Sequence, residues 1–306
     1  MRSVFSDGDR ESLSATAQGA VRFDEPMSRH TTLRIGGTAD AWFEPDSISD
    51  LTSILMWCAE RSIPVSVVGS GSNLLVLDRG IRGLVVATRS LRRLDLLPPT
   101  SFVAEAGVST GRLLKEATER GLGGVEFLGG VPGTIGGGLI MNAGTNLGDF
   151  KDVTASVTSL RISNGSLVTR AGHQCGFGYR HSSLPQNEIV VSATFELYPR
   201  PRGEIEQAVR DLKDRRAERE PKGFPNAGSI FKNPPGLFAG KLIEEAGLKG
   251  RRAGGAEVSP KHANWIVNVG DALAADVLHL VDVARQAVLE KFGVTLEMEV
   301  KVVGEP

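Results

Sequence analysis

GGVPGTIGGGLIMNAGTN (residues 129–146) combines seven glycines with several strongly apolar residues. A flexible linker would instead be rich in glycine and serine and polar throughout. Glycine carries no Cβ, so a glycine-rich backbone can approach another surface closely. The segment therefore predicts a buried backbone that packs against a large flat ligand or against other elements of the protein.

The 306-residue chain has an ordinary globular composition, with 41% hydrophobic and 23% charged residues and a formal net charge of −1. No basic excess favours nucleic acid or an anionic membrane surface, and no apolar run of about 18 residues predicts a membrane span. Two cysteines without a CxxC motif and five scattered histidines predict free thiols in a reducing compartment and no metal site. A cytoplasmic protein is expected, with a disordered polar N-terminal arm over residues 1–19.

Apolar periodicity predicts an α+β fold with a domain boundary near residue 200. A helix is expected from Ser47, which can cap it together with Asp50, and another over residues 110–121 that ends at Gly121. The C-terminal third predicts helices over residues 236–246 and 271–292. The predicted strands include residues 64–69, 83–88, 101–108, 263–270 and 294–303. The order lacks the regular βαβ repeat of a doubly wound sheet.

A second glycine turn, VVGSGSNLLV (67–76), follows an apolar strand and offers successive backbone N–H groups, two serine hydroxyls and an asparagine amide. Such a nest fits a phosphate or pyrophosphate, and a plain glycine-rich turn between strands is the alternative. The chain has no GxxxxGK[ST] motif, and Leu74 stands where a dinucleotide fingerprint needs its third glycine. Any nucleotide bound here is therefore held by a different fold.

The opening segment could hold the rest of a dinucleotide. Its glycines would let the loop pack against a ring system, Pro132 would stiffen one bend, and Thr134 and Asn142 would supply hydrogen bonds. The alternative is that the same glycines permit close helix–strand packing and hold no ligand. The segment alone leaves both interpretations open.

Six blocks, in order, resemble the UDP-N-acetylenolpyruvoylglucosamine reductase family, flavoenzymes that make a precursor of bacterial peptidoglycan. They are TTLRIGGTAD (31–40), VVGSGSNLLV (67–76), EFLGGVPGTIGGGLIMNAG (126–144), CGFGYRHS (175–182), NAGSIFKNP (226–234) and LEMEVKVVG (296–304). The resemblance spans roughly residues 20–304. It implies a two-subdomain FAD-binding domain of the vanillyl-alcohol-oxidase (PCMH) type over residues 20–200, split near residue 95. An α+β substrate-binding domain over residues 201–306 would follow.

The resemblance implies FAD as the cofactor and two groups of FAD contacts. The pyrophosphate loop would comprise Gly69, Ser70, Gly71, Ser72 and Asn73. The second FAD segment would comprise Pro132, Gly133, Thr134, Gly136, Gly137, Asn142, Ala143 and Gly144. On this interpretation the glycines of the opening segment wrap the cofactor.

The resemblance also implies the catalytic and substrate-binding residues. Arg180 in YRHS, Ser229 in AGSIFKNP and Glu299 in LEMEV match the catalytic arginine, the proton donor and the catalytic carboxylate. The residues that would contact the substrate are Tyr179, Lys232 and Asn233 of the same blocks, with Arg219 as a candidate for the diphosphate.

Two departures qualify the resemblance. Lys301 stands where the family often has arginine, which keeps the charge and loses bidentate geometry. Only ten residues separate Arg180 from Val191, so the inserted tyrosine loop of the larger form of the family does not fit. The chain therefore resembles the shorter, second type.

Each residue type suits the implied chemistry and also has a plainer interpretation. Arg180 can fork onto a substrate carboxylate or form a salt bridge. Ser229 can donate a proton if its neighbours polarise it, and is otherwise a capping residue in a glycine-rich turn. Alternation along the last predicted strand places Glu299 and Glu297 on one face, which is otherwise an ordinary solvated face. Arg219 is otherwise part of the charged end of a helix.

The implied reaction is the FAD-dependent reduction of UDP-N-acetylenolpyruvoylglucosamine to UDP-N-acetylmuramate, with NADPH as the hydride source. The alternatives are a flavin oxidase or dehydrogenase for another hydroxylated substrate, and a FAD-binding protein without turnover. The substrate-domain blocks disfavour the first, and the set of Arg180, Ser229 and Glu299 disfavours the second. A monomer is expected, with the UDP-sugar and NADPH as partners and no nucleic acid or membrane.

Overall fold

The computed structural model describes residues 3–305. They group into two compact units, each of which the chain enters more than once. Unit 1 contains the residues up to Asp24, then Asp40–Ser70 and Gly83–Arg215. Unit 2 contains Glu25–Ala39, Gly71–Arg82 and the residues from Arg216 onward. The division falls inside the second glycine turn, between Ser70 and Gly71.

Helices and strands are mixed along the described residues without a regular βαβ order, which confirms the α+β prediction. The helices are α1 Asp7–Thr16, α2 Ile48–Glu60, α3 Thr110–Glu119, α4 Ile135–Met141, α5 Arg202–Arg219, α6 Ala239–Glu245 and α7 Ala274–Phe292. The strands are β1 Ala20–Pro26, β2 Thr38–Glu44, β3 Val65–Val68, β4 Leu74–Val76, β5 Ile81–Ala87, β6 Leu94–Leu97, β7 Ser101–Glu105, β8 Leu122–Gly123, β9 Gly144–Thr145, β10 Gly148–Asp149, β11 Thr154–Arg161, β12 Leu167–Ala171, β13 Glu188–Glu196, β14 Tyr198–Pro199, β15 Arg252–Ala253, β16 Ala256–Val258, β17 Ile266–Asn268 and β18 Lys301–Val303.

The N-terminal segment contains a capped helix. The Ser6 hydroxyl accepts the Asp9 N–H at 3.2 Å, and the Asp9 carboxylate accepts the Ser6 N–H at 3.0 Å, which forms a capping box. Leu13 of α1 is fully buried in a cluster with Phe5 and Trp57. The predicted disorder over residues 1–19 is therefore wrong for residues 7–16, because a capped first turn and a buried leucine hold the helix. Residues 1 and 2 lie outside the described part of the chain.

Unit 1 is built mainly on two sheets. The first has the strand order β1-β2-β5-β3, and the second has the order β12-β11-β13-β7-β6. Helix α2 begins as predicted, because the Ser47 hydroxyl accepts the Asp50 N–H at 3.1 Å. The second sheet shares a core with α3 and α4, and that core includes Phe102, Leu113, Leu139, Phe150 and Phe195. This core supports the glycine-rich segment that contains α4.

Unit 2 combines a three-stranded sheet, β15-β16-β17, with the parallel pair of β4 and β18. Its core draws apolar side chains from α6 and α7, among them Ile243, Val277, Leu280 and Val281. Strand β4 forms the end of the second glycine turn, directly after Asn73. The pairing of β4 with β18 brings Leu74 beside Lys301, two residues after Glu299.

The predicted C-terminal strand over residues 294–303 is wrong in its extent, because only β18 at its end is a strand. The segment changes its hydrogen-bonding partner along its length. The Glu299 N–H donates to the Ile230 carbonyl at 2.8 Å, whereas the Lys301 N–H donates to the Asn73 carbonyl at 3.0 Å. A chain that turns from one partner to another cannot keep the single, two-faced alternation that the sequence suggested.

The domain boundaries stay predictions. Helix α5 begins just after the boundary expected near residue 200, and β6 begins beside the subdomain split expected near residue 95. The compact units, however, divide between Arg215 and Arg216, inside α5.

Candidate active site

Two glycines of unit 1, Gly69 and Gly137, lie beside the hydroxyl group of Thr134. A Cβ added at Gly69 would lie 2.5 Å from the Thr134 hydroxyl oxygen, and one added at Gly137 would meet only that oxygen, at 3.6 Å. Thr134 is 6% exposed, and its buried hydroxyl has no hydrogen-bond partner among residues 3–305. Such a hydroxyl costs free energy unless a ligand satisfies it. The unsatisfied Thr134 hydroxyl and the open face of Gly137 therefore form a cradle whose chemistry fits a bound FAD, while Gly69 packs against Thr134 itself.

Other glycines of the opening segment serve packing. A Cβ at Gly138 would overlap the Phe150 ring, and one at Gly136 would lie 3.0 Å from the Ala106 Cβ. The Gly136 N–H also donates to the Ala106 carbonyl at 2.8 Å. The interpretation as close packing therefore accounts for Gly136 and Gly138, and the assignment of Gly136 to FAD stays a prediction.

Asn142 ends α4 in the left-handed region, at a φ of +40°, and is 1% exposed. Its side-chain amide donates to the Asp149 carboxylate at 3.0 Å and to the Gly178 carbonyl at 2.9 Å. Its Oδ1 accepts the Lys151 N–H at 2.9 Å. Both amide hydrogens and the carbonyl oxygen are thus engaged within unit 1, in contacts that the sequence did not reveal.

Residues 178–181 form a tight hairpin, the arginine turn, with Tyr179 and Arg180 at its tip. Gly178 and His181 close it with two mutual backbone hydrogen bonds of 2.9 and 3.2 Å. Arg180 adopts a φ of +53°, which non-glycine residues rarely do. Its guanidinium Nη2 donates to the Gly144 carbonyl at 3.0 Å, and its Cζ lies 5.1 Å from the centre of the Tyr179 ring. The predicted catalytic arginine, a predicted substrate contact and the second FAD segment therefore meet.

In unit 2 the protein's own backbone requires glycine at position 71. Gly71 has a φ of +66°, and an added Cβ would overlap the His30 carbonyl oxygen. Its carbonyl accepts the Thr32 N–H at 3.1 Å. Nearby, the Asn73 amide donates to the Glu299 carbonyl at 3.1 Å. Asn73 of the predicted pyrophosphate loop is therefore hydrogen-bonded to the backbone of the predicted catalytic carboxylate residue.

Ser229 and Glu299 lie on neighbouring segments of unit 2. The Glu299 N–H donates to the Ile230 carbonyl at 2.8 Å, and Phe231 forms an antiparallel bridge with Met298. Ser229 directly precedes Ile230 and is half-buried. No group within residues 3–305 hydrogen-bonds its hydroxyl, whose proton is therefore not committed to a neighbour in the described chain.

The predicted substrate contacts of unit 2 have structural partners as well. The Lys232 ammonium lies 2.5 Å from the Glu297 carboxylate, with side-chain exposures of 16% and 72%. Asn233 Oδ1 accepts the Ala239 N–H at 3.0 Å and so satisfies the first N–H group of α6. Arg219 is exposed at the end of α5. Lys232 and Asn233 thus extend the Ser229 segment, and the role of Arg219 stays a prediction.

Arg219 lies near a histidine that the sequence did not single out. Burial first, and then the positive charges of Lys249 and Arg219, lower the pKa of His262. Gly240 leaves room for this imidazole, because a Cβ there would lie 2.5 Å from His262 Cε1. Its ring centre lies 4.4 Å from that of Trp265. The only signal in the sequence is an isolated histidine in SPKHANW, which periodicity cannot interpret.

Neither cysteine is poised as a nucleophile. Burial raises the pKa of the Cys58 thiol to about 12 and also raises the pKa of Cys175. Among the described residues, no group of histidine, cysteine and acidic side chains could hold a metal ion. Within the same residues, every helix is too short or too polar to cross a bilayer.

The predicted site residues fall into one group in each unit. Arg180, Tyr179, Thr134 and Asn142 belong to unit 1, and Ser229, Lys232, Glu299 and Asn73 belong to unit 2. The FAD contacts predicted at Ser70, Ser72, Pro132, Gly133 and Ala143 stay predictions. The sequence missed Asp149 and Ser182. The Ser182 hydroxyl donates to the Ile140 carbonyl at 2.8 Å, and no spacing in the sequence could reveal that contact.

Two protein-family models match the chain. The model described as "UDP-N-acetylenolpyruvoylglucosamine reductase, C-terminal domain" covers residues 220–303. The model described as "FAD binding domain" covers residues 39–170. An FAD-binding domain followed by an α+β substrate domain, as the sequence predicted, is therefore confirmed.

Individual proteins agree with the family models. The UDP-N-acetylenolpyruvoylglucosamine reductase of Moorella thermoacetica is 46% identical over 93% of this chain and 94% of its own length. That of Geobacter metallireducens is 44% identical, over 96% and 97%. The crystal structure of the reductase from Thermus caldophilus superposes with a TM-score of 0.79 at 36% identity, over 93% of this chain and 98% of that one. A structure of alkyldihydroxyacetonephosphate synthase shares only the fold, at 14% identity and a TM-score of 0.51.

Proposed function

The chain belongs to the UDP-N-acetylenolpyruvoylglucosamine reductase family of FAD-dependent oxidoreductases, and from that premise we propose the reaction and its residues. The protein reduces UDP-N-acetylenolpyruvoylglucosamine to UDP-N-acetylmuramate, with NADPH as the hydride source, in cytoplasmic peptidoglycan precursor synthesis. The observation that supports this most is the hydrogen-bonded pair of segments that carries Ser229 and Glu299 within the matched C-terminal domain.

FAD, when bound and reduced by NADPH, would supply the hydride that adds to the enolpyruvyl methylene carbon. Negative charge then develops on the adjacent carbon and spreads into the substrate carboxylate. Arg180 stabilises that charge, because a guanidinium is always protonated and can fork onto a carboxylate. A preorganised donor of this kind is typically worth about 3 kcal/mol in the transition state. The fixed arginine turn provides such preorganisation.

Ser229 donates the proton that completes the reduction. Its hydroxyl is half-buried and is not engaged by the described residues, so it is available to the substrate carbon. Glu299 assists from the neighbouring segment. A bare carboxylate would repel the enolate, so Glu299 works protonated or through a water molecule.

The substrate carries a negatively charged diphosphate, which positively charged side chains of the protein would stabilise. Lys232, already held beside Glu297, supplies positive charge next to Ser229, while Asn233 and Tyr179 contribute polar contacts. Arg219 is a further contact to the diphosphate. The protein acts as a monomer in this proposal.

Two other functions are disfavoured. A flavin oxidase for a hydroxylated substrate would share the FAD-binding domain, but the matched C-terminal domain and its Ser229–Glu299 pairing argue against it. A FAD-binding protein without turnover would have no need for an arginine held at positive φ beside the FAD segment.

The test follows the visible flavin absorbance of the purified protein under anaerobic conditions. NADPH should bleach the flavin, and UDP-N-acetylenolpyruvoylglucosamine should restore its colour stoichiometrically. Bleaching by a hydroxylated substrate, or recovery only on admission of oxygen, would indicate an oxidase or dehydrogenase. A protein that purifies without flavin and binds none when FAD is added would contradict the proposal entirely.

A further inference from the structure

Two side-chain hydrogen bonds tie the arginine turn and the residue that follows it to the segment that ends α4. The tip of the turn is exposed and contributes little apolar packing of its own. The amide of Asn142 donates to the Gly178 carbonyl at 2.9 Å, at the base of the turn. The Ser182 hydroxyl donates to the Ile140 carbonyl at 2.8 Å. The segment that ends α4 therefore contributes to the position of the turn.

The backbone of the turn would not favour arginine at its tip without such support. A φ of +53° places the Cβ of Arg180 close to its own backbone, where glycine would fit without penalty. Strained residues of this kind persist only when the surroundings hold them, and they concentrate at functional sites. The conformation of Arg180 thus depends on the groups that fix the two ends of the hairpin.

The neighbours of Asn142 fix the orientation of its amide. The Lys151 N–H can only donate, so it faces Oδ1. The Asp149 carboxylate and the Gly178 carbonyl accept, so they face Nδ2. Asparagine also tolerates the left-handed φ of +40° at this position better than most residues. Few other side chains could satisfy all of these conditions.

We propose that Asn142 is a positioning residue for Arg180. It ties the arginine turn to the second FAD segment, so that the guanidinium is already placed when the substrate carboxylate arrives. The inference rests on the proposed function, in which Arg180 stabilises that carboxylate. It gives the Asn142 side chain a role other than the direct cofactor contact implied by the family resemblance, because its amide hydrogens and one lone pair of its Oδ1 are already engaged by the protein.

The first test is Asn142→Gly, which keeps the backbone conformation and removes all three side-chain bonds. FAD content and the rate of FAD reduction by NADPH should stay within a few-fold of wild type. Reoxidation by UDP-N-acetylenolpyruvoylglucosamine should slow about 10- to 100-fold, because misplacing a catalytic group by about 1 Å can cost on the order of 10²-fold. In an Arg180→Ala background the same substitution should add no further loss in single-turnover reoxidation.

Asn142→Asp is the second variant, because it is isosteric and sets an oxygen against two acceptors. Asn146→Asp is its control, since Asn146 is exposed in the same loop and gains the same charge. Asn142→Asp should match Asn142→Gly, and Asn146→Asp should match wild type. An additive loss in the Arg180→Ala background would overturn the positioning role, as would loss of FAD or folding in both Asn142 variants. If Arg180→Ala alone leaves reoxidation unchanged, the role of Arg180 fails first, and the inference fails with it.

Discussion

The two segments that carry the predicted catalytic residues are held in different ways. In unit 1 the arginine turn is closed by its own backbone and is linked to the α4 segment by side chains, namely the Asn142 amide on the Gly178 carbonyl and the Ser182 hydroxyl on the Ile140 carbonyl. In unit 2 the segments of Ser229 and Glu299 are joined by main-chain hydrogen bonds. One substitution can remove a side-chain bond, whereas a main-chain ladder survives most substitutions. Neighbouring mutations should therefore disturb Arg180 more than Glu299.

Both segments are nevertheless joined to a predicted FAD loop by an asparagine. Asn142 belongs to the second FAD segment and contacts the arginine turn, and Asn73 belongs to the pyrophosphate loop and contacts the Glu299 carbonyl. Asn142 is almost fully buried and makes three side-chain hydrogen bonds, while Asn73 is half-buried and supports a segment that is already paired. We therefore expect the position of the arginine turn to depend more on Asn142 than the position of Glu299 depends on Asn73.

The largest expected effect is at Ser229, because main-chain hydrogen bonds hold its segment in place but cannot supply the proton of its hydroxyl. Ser229→Ala should leave FAD reduction by NADPH nearly intact. It should slow reoxidation by the substrate about 10²- to 10⁴-fold, because general acid catalysis typically contributes that much. Stopped-flow measurement of the two half-reactions separates these outcomes. Equal slowing of both would mean that Ser229 is structural, and the contrast between the two segments would lose its chemical basis.

The second expected effect distinguishes two carboxylates of the same segment. Glu299→Gln should reduce turnover by about 10²- to 10³-fold, as the loss of one transition-state contact typically does, while the substrate still binds and perturbs the flavin spectrum. Glu297→Gln should stay within a few-fold in kcat. Its carboxylate is 72% exposed and pairs with Lys232, and such a pair is worth at most about 1 kcal/mol.

Glu297→Gln also serves as the charge control for Glu299→Gln, since each removes one negative charge from nearly the same place. A rise in KM with kcat unchanged would show that Lys232 loses its position when its partner is removed. If Glu297→Gln were the inactive variant, the catalytic carboxylate would be two residues away from the one named here.

Much of the fold follows from local patterns. The capped start of α2 at Ser47 and the strand β3, expected over residues 64–69, were predictable, because caps and apolar runs act within a few residues. The extent of the C-terminal strand was not predictable. Its backbone changes hydrogen-bonding partner from Ile230 to Asn73, and partners that are distant in sequence leave no local signal. The capped α1 was missed because a single buried leucine supports it.

The candidate site shows the same limit. Ordered sequence blocks singled out Arg180, Ser229 and Glu299, but a block cannot say which glycine faces a ligand. Gly138 packs on Phe150 and Gly71 on the His30 carbonyl, whereas Gly137 faces only the Thr134 hydroxyl. Only three-dimensional packing separates glycines required by the protein from those left for the cofactor.

The third prediction uses that separation. Gly137→Ala should lower FAD affinity about tenfold or more, because a methyl group would enter the cradle beside Thr134. The apoprotein should be about 1 kcal/mol more stable, since alanine is the better helix former. Gly111→Ala in α3 is the matched control, because an added Cβ meets nothing within 4 Å there. It should gain similar stability and keep its FAD. Equal FAD affinity in the two variants would place the cofactor elsewhere.

The smallest expected effect is at Asn73. It compares directly how much Glu299 depends on Asn73 with how much Arg180 depends on Asn142. Asn73→Ala removes one hydrogen bond to the Glu299 carbonyl, which is worth about 1 kcal/mol net, or about fivefold in rate if all of it is lost from the transition state. The Ile230 carbonyl still holds the Glu299 N–H, and β4 still pairs with β18. Reoxidation should therefore slow about fivefold, less than in Asn142→Gly, when both are measured with FAD held saturating.

A loss as large as that of Asn142→Gly would mean that the main-chain pairing of unit 2 depends on Asn73 as much as the arginine turn depends on Asn142. A loss of FAD affinity with unchanged half-reaction rates would instead make Asn73 the cofactor contact that the family resemblance implies, with no part in placing Glu299.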